Sequence, residues 1–305
     1  MLDVIVIGGS YAGLSATMQL ARARRKVLLV DSGLPRNRFA KTSHGFFGQD
    51  GKAPAAILGE ASGQIAAYPT AEMVQGEAME ARTDAGGFTV TLVSGPEVHA
   101  RRLILATGVI DTLPDVTGLR ERWGVTVLHC PYCHGYEVRD RPLGVLASHP
   151  MSAHQAILIP DWGPTPLFTH GLFEPDAEQS ALLGARGVTI ERQPVVALLG
   201  NGPELDAVRL ADGRTIPLKA MFVTPRTSVA SPLVQQLGCA LDEGISGPVV
   251  RVDDWKATTI RGVYAAGDAA SLMHNATLAS ASGVLAGVGA HQSLARDPIP
   301  EGPEA

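Results

Sequence analysis

The stretch from Val4 to Asp31 constrains the fold of this chain more than any other. Val4-Ile5-Val6-Ile7 is a short apolar run that ends in Gly8-Gly9-Ser10-Tyr11-Ala12-Gly13. Leu14 to Arg24 then reads as a helix, and Val27 to Val30 reads as a second buried strand ending at Asp31. Strand, glycine-rich turn, helix, strand and acid, in that order, make the βαβ fingerprint of a dinucleotide-binding unit. The glycines let backbone approach a pyrophosphate, and the helix N-terminus adds partial positive charge. An acid at that distance can hydrogen-bond a ribose hydroxyl. The second glycine of the G-x-G-x-x-G pattern is Ser10 here, a small residue that can itself donate to phosphate. Alone, the motif does not separate a dinucleotide site from a glycine-rich turn in some other α/β unit.

A second motif carries chemistry of its own. Cys130-Pro131-Tyr132-Cys133-His134 places two thiols at a spacing that can close into a disulfide and reopen. The same spacing also serves half of a zinc site or, with the trailing histidine, a c-type haem attachment. Zinc wants four ligands. Although His129 and His134 flank the pair, the only other cysteine, Cys239, has no ligand-type neighbour. Haem attachment requires export, and no signal peptide is read before the first strand. A redox dithiol is therefore expected, with no metal. Three cysteines in 305 residues do not make a secreted disulfide framework, so a cytoplasmic location is expected. A net charge of −5 gives no broad basic surface, so no nucleic-acid partner is expected. Nor is there an uninterrupted apolar run long enough to enter a membrane.

Further along, Ser32 to Gly51 is mostly polar, and Asn37, Arg38 and His44 in it are candidates for the cofactor side. The rival reading of this stretch is a solvated loop. Gly86-Gly87 followed by alternation over Phe88 to Val93 suggests a hairpin. Leu103-Ile104-Leu105 is another buried strand, closed by Ala106-Thr107-Gly108. Strands are expected at 142–147, 166–169 and 188–190, with a helix over 152–159. Near the end, Gly267-Asp268 precedes a long helix of small residues from about Thr277 to Leu294. Cys239, within Leu237-Gly238-Cys239-Ala240-Leu241, is expected in the core.

These residues together resemble the low-molecular-weight thioredoxin reductase family of FAD-dependent disulfide oxidoreductases. The likeness runs through the whole chain: the first glycine turn, Ala106-Thr107-Gly108, the mid-chain Cys-x-x-Cys, and Gly267-Asp268. It implies an α/β fold of two Rossmann-like nucleotide-binding domains. The FAD domain would be discontinuous, at 1–113 and 240–305, with an inserted domain at 114–239 carrying the dithiol. It implies FAD held by Gly8, Gly9, Ser10, Gly13, Asp31, Ser32, Asn37, Arg38, His44, Ala106, Thr107, Gly108, Gly267 and Asp268, and a homodimer. Cys133 matches the family cysteine that exchanges electrons with the flavin, and Cys130 the one that meets substrate sulfur. The family usually carries an acid–base Asp after the second cysteine, where this chain has His134. Imidazole can carry that proton, and its cation would favour a neighbouring thiolate. His274-Asn275 stands where the family usually has Arg-Gln beside the flavin; a capping residue before the last helix is the alternative for His274.

One departure redirects the expected function. Where the family has a second glycine turn for NADPH, this chain has Ala147-Ser148-His149-Pro150-Met151-Ser152. A histidine occupies the close-approach position, and Pro150 lacks an N–H that such a turn would donate. The next strand leads to Phe168-Thr169-His170-Gly171, with Glu174 and Asp176 beyond, in place of phosphate-binding arginines. NADPH use is therefore not expected. The sequence resembles instead a branch that oxidises dithiols with O2, including enzymes acting on gliotoxin- and holomycin-type dithiols. The expected partner is a small-molecule dithiol or a thioredoxin-like protein, with hydrogen peroxide as product. Alternatives are a reductase with a divergent NADPH site or another donor such as ferredoxin, and a non-turnover flavin redox sensor.

Overall fold

The structure is a computed structural model that describes residues 1–93, 95 and 97–297. Strand β1 (Leu2–Ile7) and helix α1 (Tyr11–Arg22) are followed by β2 (Val27–Asp31), α2 (Pro54–Ala66) and β3 (Ala71–Gln75). A meander follows, of β4 (Ala78–Asp84), β5 (Gly87–Leu92) and β6 (Glu97–Leu105). Val4 to Val6 and Leu103 to Leu105 are fully buried, which is why these strands read as unbroken apolar runs rather than alternating ones. The chain then leaves this first unit through β7 (Val109–Thr112).

The second unit contains β8 (Val127–Leu128), α3 (Pro131–His134), β9 (Leu143–Leu146), α4 (Ser152–Leu158) and β10 (Leu167–Phe168). Helix α5 (Ala177–Ala185) and β11 (Ile190–Glu191) complete that alternation. A three-stranded antiparallel meander of β12 (Val195–Leu199), β13 (Ala207–Leu210) and β14 (Thr215–Pro217) comes next, and then β15 (Ala220–Val223). The main sheet of this unit is parallel throughout, in the order β11-β10-β9-β15-β8. Phe168 and Phe222, both fully buried, anchor the two apolar clusters of the unit.

The return begins with β16 (Arg226–Val229), followed by α6 (Leu233–Gln236), β17 (Leu241–Glu243), β18 (Pro248–Val250), β19 (Val263–Ala265) and the long α7 (Ala276–Arg296). The first unit's sheet runs β3-β2-β1-β6-β5-β4, with β19 also paired to β6. β1 is parallel to both β2 and β6, so the chain order reverses at its C-terminal end. In open α/β sheets that switch point is where ligands bind.

By contacts, the first unit comprises 1–36, 55–110 and 228–305, and the second comprises 37–54 and 111–227. Leu233, Val234 and Leu237 join the same buried cluster as Ile5 and Leu103, so re-entry falls before position 240. Cys239 lies in that cluster, 8% exposed, and burial pushes its thiol pKa up. No helix among the described residues is long and apolar enough to cross a membrane.

Candidate active site

In the first unit, the turn after β1 is compact because its glycines leave no room for side chains. A Cβ on Gly8 would lie 2.3 Å from the Ala106 carbonyl oxygen, and one on Gly13 would lie 1.7 Å from that of Gly8. Gly8 also sits at φ 103°, which an L side chain rarely adopts. The Gly9 N–H donates to Asp31 Oδ1 at 2.9 Å, so the acid at the end of β2 is drawn onto the turn. Ser10 is the N-cap of α1 and makes no capping bond with its hydroxyl, which leaves that hydroxyl for a ligand. Ala106 N–H donates to the Ile7 carbonyl at 2.8 Å, placing Thr107 at the mouth of the switch point. Thr107 Oγ1 is buried with no hydrogen-bond partner among the described residues.

α7 closes the other side of this site by packing tightly on α1. A Cβ on Gly283 would meet the Ala12 carbonyl oxygen at 2.0 Å, and one on Gly287 the Ala16 carbonyl oxygen at 2.7 Å. Gly267, at φ 74°, donates its N–H to Ser282 Oγ of α7 at 3.1 Å. Asp268 follows and accepts from Arg36 Nη1 at 3.0 Å. The same Arg36 nitrogen is 2.7 Å from His274 Nδ1. The cap of α7 is Asn275, whose Oδ1 accepts from the Thr277 N–H at 2.8 Å, so capping is not the work of His274. A glycine cradle, a helix N-terminus, a ribose-competent carboxylate and an orphaned hydroxyl at one switch point fit a dinucleotide such as FAD. Gly8, Gly9, Ser10, Gly13 and Asp31 would hold it there with Thr107 and Asp268.

The dithiol belongs to the second unit. Cys130 follows β8 at the N-cap of α3, and Pro131 at the first helical position supplies the φ that such a turn needs. Cys130 and Cys133 are joined as a disulfide with Cα atoms 5.3 Å apart. Gly135 lets Trp162 come underneath, since a Cβ there would sit 2.8 Å from the indole ring. Tyr132 meets Trp162 edge-on at 5.9 Å and remains 65% exposed. The His129 carbonyl, just ahead of Cys130, accepts from Gln155 Nε2 of α4 at 2.7 Å. Gln155 Oε1 accepts in turn from Thr224 Oγ1 at 3.0 Å. The disulfide turn is thus tied to the sheet of its own unit.

Burial holds the His134 imidazole below its ordinary pKa, the nearby Glu137 carboxylate partly offsets this, and His44 lowers it again. At neutral pH His134 is therefore a neutral base, and the cationic form expected to favour a neighbouring thiolate is disfavoured. Asn37, Arg38 and His44 fall in the 37–54 segment of this second unit. Arg38 stacks on the Phe39 ring at 4.3 Å. His44 Nε2 lies 3.1 Å from Thr42 Oγ1 and 3.5 Å from Glu137 Oε1. A Cβ on Gly45 would be 3.8 Å from the Tyr132 carbonyl oxygen, so this segment lies against the disulfide turn.

The turn after β9 is closed by its own side chains. His149 is 5% exposed, with Nε2 buried and without a hydrogen-bond partner among the described residues. Burial chiefly, and then the Arg226 charge, hold it below its usual pKa. The Ser148 N–H is used by Ser152 Oγ at 3.2 Å, and the Ser148 hydroxyl is spent on the Thr224 carbonyl. Beyond β10, His170 Nδ1 accepts from the Val195 N–H at 3.1 Å. An open cleft of about 340 Å³ follows, lined by Thr169, Gly171, Leu172, Phe173, Glu174 and Arg192. Arg192 is a cation that the sequence reading passed over, because it enters from beyond β11. Its guanidinium is held by Glu174, with Nε 2.9 Å from Oε2. Arg36, Ser282, Gln155 and Glu137 were also missed. Arg36, Ser282 and Gln155 meet their partners through the fold rather than through sequence spacing, although the small residues of α7 were a signal for Ser282 and Glu137 lies three residues after His134.

A discontinuous unit with a dinucleotide turn, interrupted by a unit carrying a Cys-x-x-Cys disulfide, defines the class of flavin-dependent disulfide oxidoreductases. The chain belongs to the pyridine nucleotide-disulphide oxidoreductase family, whose pattern matches residues 2–157 and 174–283. It is an oxidoreductase of thioredoxin reductase-like type, and membership implies FAD binding. Thioredoxin reductase tcpT of Claviceps purpurea is 32% identical, over 97% of this chain and 95% of its own length. The crystal structure of an oxidoreductase from Agrobacterium tumefaciens superposes with a TM-score of 0.93 at 49% identity, covering 97% of this chain and 99% of that one. The crystal structure of HlmI superposes with a TM-score of 0.90 at 38% identity, covering 96% of this chain and 92% of that one.

Proposed function

We propose that this enzyme oxidises a dithiol to a disulfide through Cys130 and Cys133, with O2 as final acceptor and without NADPH. The observation that carries the reading is His149, buried in the turn where a nicotinamide dinucleotide would need open backbone. A filled cradle, a proline in the turn and an Arg192 already paired to Glu174 leave little to grip a pyrophosphate or a 2′-phosphate.

The chemistry then runs from substrate to protein. A substrate thiolate attacks Cys130 Sγ, the Cys130–Cys133 bond breaks, and Cys133 leaves as a thiolate. The second substrate thiol loses its proton to neutral His134 and attacks the substrate sulfur of the mixed disulfide. Cys130 leaves as a thiolate, and the substrate departs as a cyclic or linked disulfide. Two electrons have passed to the protein pair, and the substrate has lost two protons. FAD held at Gly8, Gly9, Ser10, Gly13, Asp31, Thr107 and Asp268 would supply the acceptor for those two electrons, with O2 as the final oxidant and hydrogen peroxide as its product. The exposed Tyr132 beside the pair offers an apolar face to a small-molecule dithiol or a thioredoxin-like protein. A homodimer is part of the same reading.

The names of its relatives make NADPH-driven thioredoxin reduction the competing reading, and one experiment divides the two. The yellow protein is mixed anaerobically with NADPH in one cuvette and with a small dithiol in another. Bleaching by the dithiol alone, then recovery in air with peroxide formed, is the expected result. Cys133→Ser should keep FAD and lose that bleaching. Rapid bleaching by NADPH would overturn the proposal.

A further inference from the structure

Arg36 meets Asp268 and His274 in the first unit, across 232 and 238 residues of sequence respectively. A guanidinium has N–H donors and no acceptor. The 2.7 Å contact between Arg36 Nη1 and His274 Nδ1 therefore has one sense: Arg36 donates, and Nδ1 accepts with its lone pair. The second proton of the same nitrogen goes to Asp268 Oδ2 at 3.0 Å, which aims the donor and neutralises it. With Nδ1 committed as acceptor, a neutral imidazole carries its proton on Nε2. Protonating Nδ1 would set N–H against N–H beside a cation. The backbone on the far side is also pinned, because Asn275 caps α7 through the Thr277 and Leu278 N–H groups.

We propose that Arg36 is a positioning residue that locks His274 as its neutral Nε2–H tautomer, making it a hydrogen-bond donor rather than a proton acceptor. The catalytic effect expected of this lock rests on the function proposed above, whereas the tautomer itself does not.

The test is long-range ¹H–¹⁵N NMR of histidine-labelled protein, with and without FAD, the His274 signals being identified by their loss in His274→Gln. The wild type is expected to show a proton on Nε2 and a bare Nδ1 at neutral pH. Arg36→Met should give a mixed tautomer, and Arg36→Lys, which keeps a donor, should restore the single form. In stopped flow, Arg36→Met should slow dithiol-driven bleaching about tenfold, the scale for losing a residue that orients a working group. A proton on Nδ1 in the wild type, or an imidazolium there at neutral pH, overturns the proposal even if Arg36→Met fails to fold. An Nε2–H tautomer in a protein that NADPH reduces would leave the role of Arg36 standing and remove the dithiol-oxidase reading instead.

Discussion

His134 illustrates how burial converts one residue's identity into a chemical role. Its folded pKa lies below the ordinary value, chiefly by desolvation. The unfolded chain therefore binds more protons than the folded one once pH falls below about 6.5. Stability should be insensitive to this group at pH 8, decline as pH drops through about 6.5, and level off below the depressed folded value. His134→Gln should remove that share of the decline. Its melting temperature relative to the wild type should thus rise steadily between pH 7.5 and 5, as read by circular dichroism. The same variant should slow bleaching by dithiol by about 10²-fold at neutral pH, the usual scale for losing a positioned base. A parallel pH dependence in both proteins, with equal rates, would return His134 to the role of a turn residue. The sequence disclosed its position after Cys133 and Glu137 three residues on, but not its charge state, which depends chiefly on its burial and also on His44 arriving from elsewhere.

Among the elements, the apolar runs of β1, β2 and β6 were legible because strands buried on both faces leave a continuous hydrophobic signature. Helix α7 was legible in its length, at 276–296 against an expected 277–294, and its small residues now have a cause. They let it approach α1 at Gly283 and Gly287. Helix α2 was not read, because Ile57 and Ile65 are its only buried aliphatic side chains amid alanine, glycine and serine. The β12–β14 meander and α5 were also unread. The capping box of α5, Asp176 with Gln179, was visible in the sequence, where Asp176 stands out only as an acid in place of a phosphate-binding arginine.

This contrast between close-packed and open glycines makes a paired prediction. Gly283→Ala should destabilise the protein by about 1–3 kcal/mol, because its Cβ would meet backbone of α1 that has no room to give. It should also weaken FAD retention, since α1 carries the dinucleotide turn. Gly59→Ala in α2, where a Cβ meets nothing within 4 Å, should stabilise by about 0.5–1 kcal/mol. Urea unfolding of both variants measures the difference directly; equal effects would mean that the α1–α7 approach is looser than described.

At the scale of the whole molecule, the corresponding turns of the two Rossmann-like units are built from opposite kinds of residue. In the first unit the turn is glycine, its acid is in place, and Thr107 Oγ1 is buried without a hydrogen-bond partner among the described residues. In the second, Ser148 spends its donors inside the unit and His149 is buried in the turn. The residue types at both turns could be read from the sequence, and the lack of NADPH binding is the proposal they support. The assignment of 37–54 to the dithiol unit could not, because only tertiary contacts decide it. Ligand linkage turns the asymmetry into a measurement: a ligand at one hundred times its dissociation constant stabilises the folded state by about 2.7 kcal/mol. FAD added to stripped protein should therefore raise the melting temperature, whereas millimolar NADPH should leave it unmoved. The triple variant Ser148→Gly, His149→Gly and Pro150→Ala reopens the second cradle and supplies the missing N–H. It should lose stability, since a buried side chain is deleted, and should gain an NADPH-dependent shift only if the cleft beside Glu174 and Arg192 still accepts the nucleotide's other end. An NADPH shift in the wild type would mean that His149 moves aside, and that the second unit binds its nucleotide by rearrangement.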